Sequence, residues 1–485
     1  MSATATVLIS VPHGAAAGNM LRHGLLARLL AADSTVRIVI VSPMAKDPGF
    51  VREFAHPRVL FEDLPAHKPA GLEARLLAFM QACYLESGIT ESVRIRRAEA
   101  QAKGSIRWIG AKARLGRTFA SSMARPESRY DLSDRFVSHP HAEALFDRYA
   151  PVLLVTSSPG LILSEVPLLR TAVRRRVRAL AIDPSWDNFT NKLLPVRRVD
   201  RLFVWNTLMR DQAMEWHGYR SDMIRICGAP QFDGYFRGGL QTSREDFFHR
   251  IGADTRRKLI TLTTTPRELY PFHDHVIRSL SEAMASGAIA QPSQVLVRLH
   301  PRDSEEAYRE VRDLPHVIIE KPFRPTVAAA DGLAVDVMPE HQRHLADTMR
   351  HSDVAVNVAS TIAIEACVFD TPVVNISFDG DQPLEYARSA RRYYAFTHYV
   401  NITRQGAVRV AGTPGEMVEL VNRYLDDPSL DAGGRAGVVA EQCQFVDGRS
   451  GERVAAGVVA ELADVLGRPL TGTAMDQDAK TMASA

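Results

Sequence analysis

The chain has 485 residues, room for about two to four domains, and its 46% hydrophobic and 24% charged content is that of an ordinary globular protein with full cores. A formal net charge of +3 is too small to imply nucleic-acid binding, and Cys83, Cys227, Cys367 and Cys443 are too scattered for a metal site or a disulfide framework. The pattern fits a reducing cytoplasm: MSATATVLISVPHG lacks a signal peptide's basic start and long apolar core, and no run of about 20 apolar residues spans a membrane.

Residues 7–11 read as a buried strand, followed by a small-residue loop over 12–18, a helix over 19–32 and a second strand over 36–41. This is the start of an open α/β domain. His13 sits in the loop after that first strand, where a ligand crevice belongs. Imidazole ordinarily titrates near 6.5, so His13 is a candidate to take a proton from a hydroxyl. The alternative is a loop histidine with no role. The neighbouring glycines let backbone approach a ligand, but there is no GxGxxG pattern and no dinucleotide site is expected. Asn19, just beyond, is an acceptor-binding candidate.

Residues 94–125 break the alternation. Arg94, Arg96, Arg97, Lys103, Arg107, Lys112, Arg114, Arg117 and Arg125 face one acid, Glu99, with Ile95, Ile106, Trp108, Ile109, Leu115 and Phe119 interleaved. A basic helical insert over about 90–135 is expected, of a kind that lies on an anionic membrane surface or meets a lipid-linked acceptor. A basic face packed on the core or on a partner subunit is the competing reading.

Further strands are expected at 152–156, 177–182, 201–205 and 223–227. The loop DPSWDNFTNK at 183–192 combines Trp186 with Asp187 and Asn188, a kit for holding a sugar. Asp187 is the rival candidate for the base, and a simple Asx-capped turn is the plainer alternative. Residues 228–236, which include GAPQFDGY at 228–235, look like a domain exit.

A second α/β set begins near Lys258, with strands at 259–263, 295–299, 317–319, 354–357 and 373–376. Thr263, Thr264 and Thr265 close its first strand, and Thr265 is a donor-site candidate. His300 and Arg302 follow the strand at 295–299: Arg grips phosphate with a planar fork, and His donates to a diphosphate oxygen. After the strand at 354–357, Ser360 and Thr361 stand where the cap of a helix over 362–369 belongs, a ready anion site. Glu365, one turn on, is placed for a ribose. Helices over 414–425 and 451–466 close the chain; FVDGRSGER at 445–453 is expected to start the last one, capped by Ser450, and the tail from about 471 is expected to be disordered.

The fold class read from this pattern is α/β, two doubly wound Rossmann-like domains facing a cleft. Residues 1–235 form the first domain, 240–470 the second and 471–485 a tail. RLHP at 298–301, STIAIEA at 360–366 with TPVV at 371–374, FVDGRSGER, WDNFTNK at 186–192 and GAPQFDGY are the motifs in hand. With them the chain resembles the GT-B glycosyltransferases. It looks closest to the bacterial surface-polysaccharide group that includes CDP-glycerol glycerophosphotransferases and capsule-type sugar transferases. The resemblance covers mainly the second half. It implies that the second domain binds a nucleotide-activated donor through His300, Arg302, Ser360, Thr361, Glu365 and Thr265. It implies that the first binds a glycan or lipid-linked acceptor, here through Trp186, Asn188 and Asn19, and that no metal or other cofactor is strictly needed. His13 matches the loop that often supplies the base. The expected activity is transfer of a sugar or glycerol-phosphate-like group to an acceptor hydroxyl, in the cytoplasm or at the inner face of the membrane. The alternatives are a nucleotide-sugar 2-epimerase and a non-catalytic glycan-assembly protein on a decayed fold.

Overall fold

The computed structural model describes residues 5–104, 137–192, 198–238, 242–321 and 339–471. Their strands form two parallel sheets. The first contains β1 (Thr6–Ser10), β2 (Arg37–Val41), β3 (Val59–Glu62), β4 (Leu153–Thr156), β5 (Arg178–Ile182), β6 (Arg201–Val204) and β7 (Ile224–Ile226), in the order β3-β2-β1-β4-β5-β6-β7. The second contains β8 (Lys258–Thr263), β9 (Ser293–Arg298), β10 (Val317–Glu320), β11 (Val354–Asn357), β12 (Val373–Ile376) and β13 (Val408–Ala411), in the order β10-β9-β8-β11-β12-β13.

Central strands such as TVLIS and LLVT are buried at every position. Helices cover both faces of a parallel sheet, so such strands read as continuous apolar runs. The edges β3 (VLFE) and β13 (VRVA) are half exposed and lack that run, which is why no strand is expected there from sequence. In each sheet the chain starts at the centre, builds one edge, returns and builds the other. The order therefore reverses between β1 and β4 and between β8 and β11. Ligand crevices open beyond the carboxyl ends of the strands at such reversals.

The single helix expected over 19–32 is broken in two, and helical turns already begin inside the expected loop over 12–18. Gly14–Ala17 is one α-turn, Gly18–Arg22 is a π-turn, and Leu25–Ala32 follows Gly24, whose φ of +94° places it in the left-handed region. The last helix, Ser450–Leu466, departs from the expected 240–470 grouping. Its Val454, Val458, Val459 and Leu462 share an apolar cluster with Val7, Ile9, Ile38 and Val155 of the first sheet. Its buried Glu461 draws in Arg178, Arg201 and Arg225 from β5, β6 and β7. Ser450 does not cap it. Asp233 does, accepting from the backbone N–H groups of Ser450 and Gly451, each at 2.8 Å. The motifs GAPQFDGY and FVDGRSGER thus meet in space as one structural lock.

Of the basic stretch, residues 105–125 lie outside the described residues, as do 472–485 of the tail. The described arginines sit on the helix Glu91–Ala102, and each meets an acid: Arg94 with Glu91, Arg96 with Glu99, Arg97 with Glu86. That helix packs on the second unit, where Arg392 donates to Glu99 (2.6 Å) and Ser92 exchanges two hydrogen bonds with Thr397. Among the described residues no helix is long and apolar enough to cross a membrane.

Candidate active site

In the second unit, β8 and β9 end side by side. Thr264 Oγ1 accepts the backbone N–H of His300 (2.8 Å) and donates to Asp303 (3.0 Å). His300 Nδ1 accepts the N–H of Arg302 (3.1 Å). Burial first, then the neighbouring Arg302, push the His300 pKa down to about 4. At neutral pH the ring is therefore uncharged and carries its proton on Nε2, as a donor. The Arg302 side chain is exposed. The N–H of Thr265 donates to Nε2 of the buried His273 (3.0 Å).

The Ser360/Thr361 pair is only partly the expected cap. Ser360 Oγ accepts the N–H of Ile362 at 3.3 Å, while the Thr361 side chain caps nothing. Instead Thr361 Oγ1 accepts the indole N–H of Trp186 from the first unit (3.1 Å). The helix Ile362–Val368 has only seven residues, so its dipole is short. Glu365 on it is buried and accepts the Tyr235 hydroxyl (3.1 Å).

Burial raises the Glu365 pKa to about 7 from 4.5. Between those two values the folded chain holds a proton that the unfolded chain has released, so this residue's contribution to stability falls as pH rises through that window. The difference is roughly 3 kcal/mol at most. Glu365→Gln should therefore unfold at a higher temperature than wild type at pH 8 and show little gain at pH 4.5. An identical shift at both pH values would refute the assignment.

Under this helix the sheet carries a polar row of which the sequence singled out only Thr263 and, within RLHP, Arg298. Glu320 pairs in register with Arg298, Arg298 with Thr263, and Asn357 with Asn375; Leu262 paired with Val356 sets Thr263 beside Asn357. Residues in register on parallel strands share a face. Arg298 donates to Glu320 (2.8 Å), which also meets His344, and Asn375 donates to the Tyr399 hydroxyl (2.7 Å). Thr263 Oγ1, Asn375 Oδ1 and both polar atoms of Asn357 are buried with no hydrogen-bond partner among the described residues. Each such atom costs about 1–3 kcal/mol. They gather at the β8/β11 reversal, which makes it the polar centre of the second unit. Single polar residues at strand ends look like ordinary edge composition; only the register assembles them.

In the first unit His13 lies at the β1/β4 reversal. It caps the turn Gly14–Ala17, its Nδ1 accepting the N–H of Ala16 (3.2 Å). The neutral ring then carries its proton on Nε2 and presents a donor, not a proton acceptor. At the end of β4 the buried Glu165 accepts the Ser157 N–H (2.8 Å) and the Ser157 and Ser158 hydroxyls (3.0 and 2.8 Å), contacts with no motif signature in sequence.

The loop after β5 is more enclosed than expected. Trp186 is 4% exposed, with its N–H on Thr361 and its ring edge-to-face with His398 at 4.8 Å, so no open face is left for a sugar. Asn188 is buried, donating to Asp183 (2.6 Å), and Asn19 donates to Gln231 (3.4 Å). Burial alone would raise the Asp187 pKa, but Lys192, His398, the Ser185 hydroxyl and the Asn191 amide outweigh it and hold it at about 2. A carboxylate that acidic is a weak base. Asp183, by contrast, is pushed up to about 7 by burial.

The structure thus brings two sets together. Thr264, Thr265, His300 and Arg302 form one at the β8 and β9 ends. Trp186, Thr361, His398, Tyr235 and Glu365 form the other, across the junction of the two units. His398 and Tyr235 were missed because their roles depend on residues more than a hundred positions away. Among the described residues no group of three or more His, Cys, Asp or Glu side chains could hold a metal ion.

A family model described as CDP-glycerol:poly(glycerophosphate) glycerophosphotransferase matches residues 166–460. That span runs from the helix after β4 into the last helix. Among curated proteins no sequence relative matches. Solved structures share the whole architecture. S. aureus MnaA with UDP is 12% identical, with 96% of this chain and 99% of that one covered at a TM-score of 0.53. The UDP-GlcNAc 2-epimerase of Methanocaldococcus jannaschii, in complex with UDP-GlcNAc and UDP, is 10% identical, with 93% and 98% covered at 0.50. At such identities the likeness shows the fold alone: two Rossmann-like domains in the GT-B arrangement.

Proposed function

The chain belongs to the CDP-glycerol:poly(glycerophosphate) glycerophosphotransferase family, and on that premise we propose that it transfers a glycerol-phosphate-like group or a sugar from a nucleotide-activated donor to an acceptor hydroxyl. The observation that carries the reading is the family match over 166–460, which includes the loop after β5, the His300 turn and the helix bearing Glu365. The acceptor oxygen would bond to the phosphorus or anomeric carbon of the transferred group as the bond to the nucleotide's phosphate breaks. Charge then develops on the departing phosphate, where preorganised donors act most strongly. His300, neutral with Nε2–H, and the exposed Arg302 suit that role, with Ser360 and Thr361 beyond the end of β11 and Glu365 toward the ribose. The reaction is proposed to need no metal. His13 or Asp187 remains the proposed acceptor base. Asp187 is too acidic as held, and His13 would have to move its proton to Nδ1 and give up its cap.

Thermal shift with CDP, UDP and GDP tests donor binding: a nucleotide at 100 times its Kd should stabilise the fold by about 2.7 kcal/mol. His300→Ala should weaken that affinity roughly 10-fold to 150-fold, the equivalent of a hydrogen bond to a charged group. Unchanged affinity would sink the donor assignment. The epimerase reading rests on fold likeness, and conversion of a nucleotide sugar with no acceptor present would favour it.

A lipid-linked acceptor at an anionic membrane face is proposed from the residues beyond Lys103, since the arginines before it are already paired. Each basic residue near such a surface is worth about 1 kcal/mol and is screened by salt. Wild type should co-sediment with anionic vesicles at low salt, and changing Arg107, Lys112, Arg114 and Arg117 to Glu should abolish this. Failure of wild type to sediment returns the stretch to a basic protein-packing face.

A further inference from the structure

Away from the His300 and Glu365 clusters, the first unit holds a cavity of about 480 Å³. This is the usual size of a small-molecule site, roughly 300–1,000 Å³. It lies beside the loop after β3 and the starts of the helices Gly71–Ser87, Pro140–Tyr149 and Val166–Arg175. These lie at the carboxyl-end rim of the first sheet, the same rim that bears His13 and Ser157. Pro65, Leu72 and Leu168 supply apolar wall, and His67, Glu73 and His139 supply the polar groups.

The polar groups are organised. His67 Nε2 meets Glu73 Oε1 at 3.0 Å, and the fully buried Arg170 donates to the same carboxylate from behind. His139 stands edge-to-face on His67 at 5.1 Å. It is 7% exposed, and its Nε2 has no hydrogen-bond partner among the described residues.

The charges cancel. Glu73 is held ionised by His67 and Arg170 against the burial that would raise its pKa, and Arg170 balances it. Burial keeps His139 neutral, with a pKa of about 4. An anionic ligand would meet Glu73 and a cationic one Arg170. A ligand with an apolar face and hydroxyls suits both the wall and the neutral polar groups.

The geometry points to a subsite for an uncharged, hydroxyl-bearing sugar or polyol unit of the acceptor, gripped by His139 and the His67–Glu73 pair. This rests on the transferase reading and adds the chemical class of the acceptor end.

The test is saturation-transfer NMR on the full chain with neutral methyl glycosides and ribitol, alongside glycerol 3-phosphate and glucose 1-phosphate, with CDP and UDP as donor-site controls. At least one neutral probe should receive saturation. Leu72→Trp, at a rim position that is 53% exposed, should block it without disturbing the fold, and His139→Ala should weaken it about tenfold. Nucleotide binding should be the same in both variants. Binding of the phosphorylated probes alone, or neutral-probe binding that survives Leu72→Trp, overturns the subsite. So does silence from every neutral probe. If a nucleotide still binds in that case, the transferase reading stands; if none does, both fall together.

Discussion

Gly451→Ala is expected to be strongly destabilising for the addition of one methyl group. A Cβ at that position would lie 2.6 Å from both the Cβ and the carbonyl oxygen of His23, and a backbone oxygen cannot swing away. Overpacking of this kind costs about 3 kcal/mol. Alanine's better helix propensity returns up to about 1 kcal/mol, so the net loss is about 2 kcal/mol or more. Gly433, also within a helix, has nothing within 4 Å of its would-be Cβ, and Gly433→Ala should stabilise by about 0.5–1 kcal/mol. Asp233→Ala removes a buried carboxylate that accepts two N–H groups at the same lock and should cost about 3 kcal/mol. Urea unfolding of the full chain measures all three. Equal signs for the two glycine variants would dismiss the interlock.

His13→Asn is expected to lower turnover by about 10²-fold or more, the cost of losing the proposed acceptor base. Asparagine caps a helix well, so the turn Gly14–Ala17 should survive and the unfolding midpoint should hold. The pH profile of wild type separates the two roles open to His13. As a base it would make kcat/KM rise with pH as the imidazole loses its proton. As a donor from Nε2 it would leave no such rise, because both the neutral and the cationic ring donate. Asp187→Asn should change turnover less than tenfold, since a carboxylate held at about 2 gives little as a base. Near-full turnover in His13→Asn would remove this residue from the chemistry.

Much of the architecture is legible in the chain. The buried strands of both sheets announce themselves as apolar runs, because a parallel strand is covered on both faces. The Ser/Thr turn before the helix at 362 and the His-Pro turn after β9 also stand at strand ends, where a doubly wound sheet puts its ligands. The family follows from the order of these motifs.

What only the tertiary structure decided is which residues are spent on holding the molecule together. Trp186 looked like a sugar platform, yet its face and its N–H are taken by His398 and Thr361. Asp187 looked like a base until Lys192 and Ser185 closed on it. FVDGRSGER and GAPQFDGY looked like signatures, and they lock each other's backbones across more than two hundred residues. The row of Arg298, Thr263, Asn357 and Asn375 exists only once the strands are in register. Local pattern determines which segments become strands and helices. Hydrogen-bond partners and proton affinities depend on neighbours brought in from elsewhere in the chain, and on burial that only packing creates.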